Sequence, residues 1–242
     1  METLGKYFIF LGSLFVNRET FKTYFNLTID ECVNIGINSI FLVSLVAFFI
    51  GAVTTIQTAY NLVSPLIPNY VISLVVRDMT LLELAPTIIA IIYAGKVGSS
   101  LASGLGTMRI SEQIDALEVM GINSTSYLVL PKIIASLLMF PMLVILAGLL
   151  SIMGGYLAGI FTGVITEYEY IYGIRFEFNE YTVTFALIKS VVFAFLVASI
   201  SSYKGFYIRG GALEVGRAST AAVTQSVIAI LTADYLLAQL LL

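Results

Sequence analysis

The sequence predicts an all-α integral membrane protein, with an N-terminal interfacial helix, five transmembrane helices and a short cytoplasmic helix between the second and the third. Composition indicates the class, because 59% of the 242 residues are hydrophobic and 11% are charged, whereas soluble domains carry about 25% charged residues. Several apolar runs reach the roughly 20 residues that a helix needs to cross a membrane, and the alternation typical of barrel strands is absent. We therefore expect one polytopic helical domain over residues 1–242.

Residues 1–31 are predicted to form the interfacial helix. A mostly apolar run from Tyr7 to Val16 has the length of a secretory signal, but no small-residue cleavage site follows it. An amphipathic helix in the cytoplasmic membrane interface is the preferred interpretation, since aromatic side chains anchor such helices. The expected anchors are Phe8, Phe10, Phe15, Tyr24 and Phe25.

The transmembrane helices are expected at residues 35–60, 71–103, 133–163, 183–202 and 218–242. Pro86 should kink the second of them, because proline removes a backbone hydrogen bond. Glu83, in the same helix, needs a partner or water, since an ionised side chain costs roughly 3 kcal/mol at the centre of a membrane. Lys189 and Asp234 raise the same question in the last two spans. Each is either a satisfied polar group or part of a translocation route.

The third span carries glycines at every fourth position, Gly155, Gly159 and Gly163. Small residues at this spacing form a flat stripe on which another helix can approach closely. The stripe predicts close packing either within one subunit or between two subunits.

The lysine and arginine residues predict the orientation. With the N-terminus inside, Arg77 and Arg175 fall outside, and so does the acidic, tyrosine-rich loop at 164–182. The segments on the inner side then hold Lys6, Arg18, Lys22, Lys96, Arg109, Lys132, Lys204, Arg209 and Arg217. Because cytoplasmic loops carry the excess of positive charge, we expect the N-terminus in the cytoplasm and the C-terminus on the far side.

A short amphipathic helix of about three turns is predicted at residues 111–120. Ser111 is the expected N-cap and Gly121 the expected C-cap. Its apolar residues recur at helical spacing and are Ile110, Ile114, Leu117 and Met120. Such a helix either lies on the lipid surface or offers a contact to a soluble partner.

Composition also excludes most catalytic chemistry. The chain has no histidine, which is the usual general base and metal ligand, and its single cysteine, Cys32, cannot form an internal disulfide. No phosphate-binding loop of the G-x-x-x-x-G-K-[ST] type occurs, and a dispersed net charge of −3 does not indicate nucleic acid binding. We expect no enzyme, no catalytic residue, no metal site and no cofactor in this chain. Energy must therefore come from a gradient or from another subunit.

The central stretch of the chain resembles the signature of the MlaE/YrbE permeases. From Glu83 to Asn123 it reads ELAPTIIAIIYAGKVGSSLASGLGTMRISEQIDALEVMGIN. The glutamate, the proline, the A-G-[KR]-x-G turn, the G-x-M-R-x-x-E-Q run and the following M-[GA] occur in the family's order and spacing. The likeness continues through residues 187–194 and Gly205 to residues 233–235, so it covers most of the chain from the first span onward.

This resemblance implies a transporter subunit with several partners. MlaE/YrbE permeases are the membrane subunits of ABC transporters that move phospholipids or other lipids between the inner and outer membranes of Gram-negative bacteria. The implied assembly is a homodimer in the inner membrane, with the N-terminus cytoplasmic and the C-terminus periplasmic. A cytoplasmic ABC ATPase would bind ATP and Mg²⁺, and an MCE-domain protein would form a hexameric ring on the periplasmic side. The other implied partners are a small STAS-type regulator and phospholipid.

The resemblance also assigns two groups of site residues. In the family the helix with the E-Q motif is the coupling helix that docks into the ATPase, and its matching positions here are Arg109, Glu112, Gln113, Asp115, Leu117, Glu118 and Met120. The family's lipid cavity lies at the dimer interface, and its matching positions are Gln57, Tyr60, Leu82, Glu83 and Leu84. This chain departs from the family at Leu82, where some members have arginine, and at Ala85, where glycine is common.

Two other functions are compatible with the residues. A gradient-driven carrier would use Glu83, Lys189 and Asp234 as a proton or ion relay, which explains the charges in the spans but not the cytoplasmic helix. A passive platform that anchors the MCE ring would tolerate substitutions in the cavity, such as those of Glu83 or Tyr60, without a change in lipid traffic.

Overall fold

The computed structural model of the chain describes residues 2–14, 20–62 and 67–241, and within these ranges it consists of helices without strands. The α-helices of the described ranges are α1 (Glu2–Ser13), α2 (Phe21–Cys32), α3 (Asn38–Asn61), α4 (Tyr70–Met79), α5 (Ile89–Tyr93), α6 (Ser99–Ile110), α7 (Gln113–Val119), α8 (Ser124–Phe161), α9 (Glu167–Arg175), α10 (Tyr181–Phe206) and α11 (Ala212–Leu241). Three π-helical segments join some of them end to end, at Val33–Ile37, Thr80–Ile88 and Ala94–Gly98.

Four helical segments of the described chain are long and apolar enough to cross a membrane: Phe21–Asn61, Ser124–Phe161, Tyr181–Phe206 and Ala212–Leu241. The predicted second span lies in a composite segment instead, in which π-helical segments join α4, α5 and α6 from residue 70 to residue 110. Pro86 lies in the first of these π-helical segments, as expected for a residue that cannot donate a backbone hydrogen bond. The all-helical membrane class is confirmed, and the number of crossings stays a prediction.

The N-terminal part of the chain does not form the single helix predicted for residues 1–31, because α1 and α2 are separate elements. Tertiary contacts hold α1 against α10, where the Tyr7 hydroxyl lies 2.7 Å from the Ser199 hydroxyl. The ring centroid of Phe10 lies 5.5 Å from that of Tyr203 and 5.8 Å from that of Phe206. α2, in contrast, continues through a π-helical segment into α3, so that Phe21–Asn61 is one helical segment of 41 residues.

The expected aromatic anchors therefore fall into two groups. Phe8 and Phe25 are exposed, as an anchor should be, whereas Phe10 and Tyr24 are buried. Phe15 lies outside the described residues, as does Arg18 from the count of inner cations.

α8 begins earlier than the predicted third span at 133–163. Asn123 is its N-cap, and the Asn123 side-chain oxygen accepts a hydrogen bond from the backbone N–H of Ser126 at 3.3 Å. Pro131 and Pro141 both lie inside this helix. α10 and α11 likewise begin before the predicted spans at 183–202 and 218–242.

The glycine stripe of the third span packs within the chain. A Cβ atom on Gly155 would lie 2.4 Å from Oγ1 of Thr55 on α3, and one on Gly159 would lie 2.7 Å from the Ile165 side chain. Gly163 is not part of the stripe, because it follows the end of α8 with a φ of +70° and no neighbour within 4 Å of its Cβ position. For Gly155 and Gly159, packing within one subunit is therefore confirmed.

The acidic segment at 164–182 is not only a loop, since it contains α9. The Thr166 side chain accepts a hydrogen bond from the Glu169 backbone, and the Glu169 carboxylate accepts one from the Thr166 backbone, which together form a capping box. At the other end, the buried guanidinium of Arg77 donates to the carbonyl oxygens of Ile174 and Phe176, each at 2.8 Å. α9 is thus fixed at both ends, and it packs on α4.

Replacing Thr166 with alanine should loosen α9. Loss of an N-cap costs about 1 kcal/mol, so we expect amide protection in α9 to fall about fivefold in hydrogen exchange at neutral pH. Thr162→Ala is the control, because Thr162 is an exposed threonine that lies outside the capping box. Unchanged protection in the Thr166 variant would contradict the assignment of the cap.

The contribution of this cap should also depend on pH. Hydrogen bonds from the Thr166 hydroxyl and backbone N–H lower the pKa of the Glu169 carboxyl below its usual value. A group whose folded-state pKa is lowered stabilises the fold above its unfolded-state pKa, and this stability is lost as the pH falls through the folded-state pKa. The difference in protection between the wild type and Thr166→Ala should therefore shrink on acidification.

Candidate functional site

Three ionisable side chains from distant parts of the sequence meet inside the helical bundle. Lys189 of α10 places its ammonium nitrogen 2.7 Å from Oε1 of Glu83 and 2.6 Å from Oδ1 of Asp234 on α11. The Lys189 side chain is completely buried. A buried ammonium needs counter-charges because removing an ion from water is costly, and these two carboxylates supply them. We call Glu83, Lys189 and Asp234 the charged cluster.

The backbone around Pro86 provides a further acceptor for the buried lysine. Proline has no N–H, so Pro86 cannot donate to the Leu82 carbonyl oxygen as the fourth residue of an α-helical turn would. The Lys189 ammonium donates to this oxygen at 3.0 Å. The Thr87 hydroxyl lies 3.2 Å from Oε2 of Glu83 and 3.1 Å from Oδ1 of Asp234, so it can donate a hydrogen bond to either carboxylate.

The charged cluster is closed on one side and open on the other. The Phe185 ring, with its centroid 4.8 Å from the Lys189 ammonium, covers the lysine by a cation–π contact. The Asp234 side chain is 18% exposed, but that of Glu83 is 46% exposed. With both carboxylates ionised the cluster carries a net charge of −1. The Glu83 carboxylate is the part that a ligand or a second subunit can reach.

The structure separates the residues matched to the family's lipid cavity. The Leu82 carbonyl oxygen and the Glu83 side chain belong to the charged cluster. Leu84 lies against α3 instead, beside Ala47 and Ile50. Gln57 and Tyr60 lie on α3 as exposed residues, and no described contact joins them to the charged cluster.

Thr87 is the member of this site that the sequence analysis missed. Its signal was present, because Thr87 follows Glu83 by four residues and so lies on the same helical face. A threonine in an apolar helix usually bonds its own backbone, which is why the residue did not stand out.

The predicted short helix is present as α7, but it begins later than predicted at 111–120. Ser111 is not its N-cap, because Ser111 ends α6 and its hydroxyl donates to the Thr107 carbonyl oxygen at 2.8 Å. Glu112 then adopts a left-handed conformation with a φ of 60°, which breaks the helical path before Gln113.

Gly121 ends α7 near the position predicted, one residue after the C-cap Met120. Gly121 has a φ of +79°, and its N–H donates to the Glu118 carbonyl oxygen. The Ile122 N–H donates to the Leu117 carbonyl oxygen, which completes a Schellman motif. The end of α7 is therefore fixed by its own sequence.

α7 is held to the rest of the chain by one face. Ile114 is fully buried, Nη1 of Arg109 lies 2.6 Å from Oδ1 of Asp115, and Oε1 of Glu118 accepts a hydrogen bond from the Ser124 hydroxyl at 2.8 Å. Among the residues matched to the family's coupling helix, Arg109 and Leu117 are half-buried, and the exposed ones are Glu112, Gln113, Asp115, Glu118 and Met120.

The free face of α7 also exposes apolar surface. Val119 is 89% exposed and Met120 is 65% exposed. The Schellman turn directs Met120 outward, although it shares the helical spacing of the buried Ile114. Val119 was not among the predicted site residues. The sequence did indicate its exposure, because Val119 is an apolar residue that does not share the helical spacing of Ile110, Ile114 and Leu117. Adjacent exposed apolar and acidic side chains suit a protein contact better than bulk water.

The chain is similar to known proteins over nearly its whole length. The family model described as Permease MlaE matches residues 28–240. A probable ABC transporter permease protein of Rickettsia bellii (strain RML369-C) is 35% identical over 239 residues, which are 99% of this chain and 92% of that protein. A probable ABC transporter permease protein of Synechocystis sp. is 32% identical over 214 residues, 88% of this chain and 81% of that protein. Protein TRIGALACTOSYLDIACYLGLYCEROL 1, chloroplastic, of Arabidopsis thaliana is 32% identical over 225 residues, 89% of this chain and 61% of that protein.

Proposed function

Because the chain belongs to the MlaE family of ABC transporter permeases, we propose that it moves phospholipid between its own membrane and an MCE-domain channel. The energy comes from ATP and Mg²⁺ bound by a separate ATPase subunit, the partner that an ABC transporter permease implies. The observation that carries the proposal is a connection: helical residues 70–110 hold Glu83 of the charged cluster, and only Ser111 and Glu112 separate their end from α7.

α7 has the features of a contact that receives force. It is fixed to the chain through buried Ile114 and the pair between Arg109 and Asp115, while Val119 and Met120 remain free for a partner. When the ATPase closes on ATP, a displacement of α7 is transmitted along α6 and α5 to the π-helical segment around Glu83. There it meets α10 and α11 through Lys189 and Asp234. Coupling of this kind requires an element with two discrete arrangements, and the π-helical segments are where we place it.

The remaining partners follow from the family. We propose a homodimer in the inner membrane of a Gram-negative bacterium, with a cytoplasmic N-terminus and a periplasmic C-terminus. An MCE-domain ring would bind on the periplasmic side and a small STAS-type regulator on the ATPase. The Arabidopsis relative is named after a galactolipid, which supports a lipid as the transported molecule.

Changing the free apolar face of α7 tests the proposal. We expect Val119→Asp together with Met120→Asp to reduce co-purification of the ATPase at least tenfold, because the exposed contact loses its apolar surface while α7 keeps its buried anchor. ATP hydrolysis stimulated by lipid should fall with it. The measurement is the ATPase-to-permease ratio after purification, with the elution volume of the permease as the check on folding.

Leu213→Asp is the matched control. Leu213 is 70% exposed and lies near the start of α11. It is predicted on the same side of the membrane as α7 but is not part of α7. This variant should keep the ATPase bound. If the α7 variant folds and retains both the ATPase and its stimulated hydrolysis, the coupling role of α7 is wrong.

The carrier alternative is favoured by one observation, the direct contact of three ionisable groups among the membrane helices. It predicts that the purified chain alone, in liposomes with a pH gradient, moves lipid or solute without an ATPase. The proposed function predicts no movement under these conditions and movement when the ATPase and ATP are added.

A further inference from the structure

A cavity of about 650 Å³ lies on the α7 side of the bundle, away from the charged cluster. Its walls come from α2, the π-helical segment Val33–Ile37 and the first residue of α3. The other walls come from α6 and the π-helical segment before it, from the first residue of α7, and from Lys132 of α8. The volume is within the range of ligand sites, about 300–1,000 Å³. Neither the predicted cavity residues nor those of the charged cluster line it.

The cavity has an excess of positive charge. Lys132 is paired with Glu31, and both side chains are more than four-fifths buried. Lys96 donates only to the Asn38 carbonyl oxygen, and no carboxylate in the described ranges lies within the salt-bridge distance of its ammonium. Two lysines therefore face one glutamate. A monoanion would neutralise the cavity, and further polar groups that could bind it are Asn34, Ser100, Thr107 and Gln113.

The rim of the cavity changes from polar to apolar along the π-helical segment Val33–Ile37 and the start of α3. Asn34, Asn38, Phe41 and Leu45 follow one another at helical spacing, so they share one helix face. The two asparagines line the cavity, while Phe41 is 80% exposed and Leu45 is 46% exposed beyond it. This order, a polar cavity followed along the helix by exposed apolar side chains, matches a molecule with an anionic head and an apolar tail.

We infer that this cavity binds the phosphate group of a glycerophospholipid from the membrane leaflet on the α7 side, with its acyl chains lying along Phe41 and Leu45. Lys96 supplies the principal charge, and Gln113 brings the bound headgroup into contact with the start of α7. The inference rests on one part of the proposed function, namely that the chain lies in a membrane with α7 at one membrane surface. Occupancy of the site would then place lipid beside the helix that contacts the ATPase.

Photolabelling without the ATPase tests this inference. The purified chain in nanodiscs is exposed to phosphatidylglycerol with a photoreactive group near its glycerol, and labelled peptides are identified by mass spectrometry. We expect label in residues 31–38 and 96–108, and about tenfold less label there in Lys96→Gln, because a charge-assisted hydrogen bond is lost. The paired change Glu31→Gln with Lys132→Gln should keep most of the label, because it removes one charge of each sign and leaves the excess charge of Lys96 in place.

Lys22→Gln is the matched control, since Lys22 is an exposed lysine of α2 outside the cavity. It should leave the label unchanged. The inference is overturned if a diacylglycerol probe without phosphate labels the same peptides equally, or if Lys96→Gln keeps the label. It is also overturned if only monomeric chain is labelled because a second copy fills the cavity. Since no ATPase is present, these results do not depend on transport.

Discussion

Replacing Lys189 with methionine should abolish lipid transport and strongly destabilise the protein. The ammonium is the counter-charge of both Glu83 and Asp234, and removing one partner of a buried ion pair costs about 3–5 kcal/mol. Most of this cost should come from Asp234, because Glu83 is about half exposed and water can solvate it. We expect a melting temperature several degrees lower in detergent, and no ATP-dependent lipid movement in liposomes that contain the complete transporter.

A neutral version of the charged cluster separates stability from function. The triple change Lys189→Met, Glu83→Gln and Asp234→Asn removes all three charges together, so the melting temperature should recover most of its loss. If transport recovers as well, the cluster only holds the helices together. If stability returns without transport, the charges act in the transport step. Lys204→Met on the same helix is the control, and a Lys189→Met protein as stable as the wild type would contradict the contacts described here.

From the sequence, the members of the charged cluster could be singled out and grouped as a hypothetical relay, but their direct contact could not be derived. Each charge was noticeable because ionised groups are rare in apolar helices. Their contact depends on how α10 and α11 pack against the π-helical segment, and no spacing rule connects positions so far apart in the chain. Thr87 and the Leu82 carbonyl oxygen become part of the site only through this packing.

The helix ends show the same limit on a smaller scale. The all-helical class and the long apolar segments were predictable, because they depend on composition and length. The start of α7 was not, since Ser111 is as good a residue for ending α6 as for beginning α7, and the left-handed Glu112 decided between them. α9 was missed because its capping box lies among tyrosines and glutamates that also suit an interfacial loop. Gly121 was predictable, since the left-handed cap itself favours glycine.

Replacing Gly51 with alanine should be among the most damaging single changes in the chain. A Cβ atom there would lie 1.8 Å from the carbonyl oxygen of Ser151 on α8, and a backbone atom cannot rotate away as a side chain can. α3 and α8 would have to separate along their contact. Overpacking of this kind lowers the free energy of unfolding by about 1–3 kcal/mol or more. We expect a clearly lower melting temperature and a reduced yield of folded protein.

Two further glycines decide whether close helix approach is the cause. Gly154→Ala on the facing helix should have a similar effect, because its Cβ would lie 2.1 Å from the Phe48 carbonyl oxygen. Gly216→Ala on α11 should be neutral or slightly stabilising, since no atom lies within 4 Å of its Cβ position and alanine favours helix over glycine by roughly 1 kcal/mol. Equal effects of all three changes would mean that each glycine acts through the backbone of its own helix and not through the contact between two helices. A loss confined to Gly51 and Gly154 would show that the approach of α3 to α8 sets the stability of the bundle.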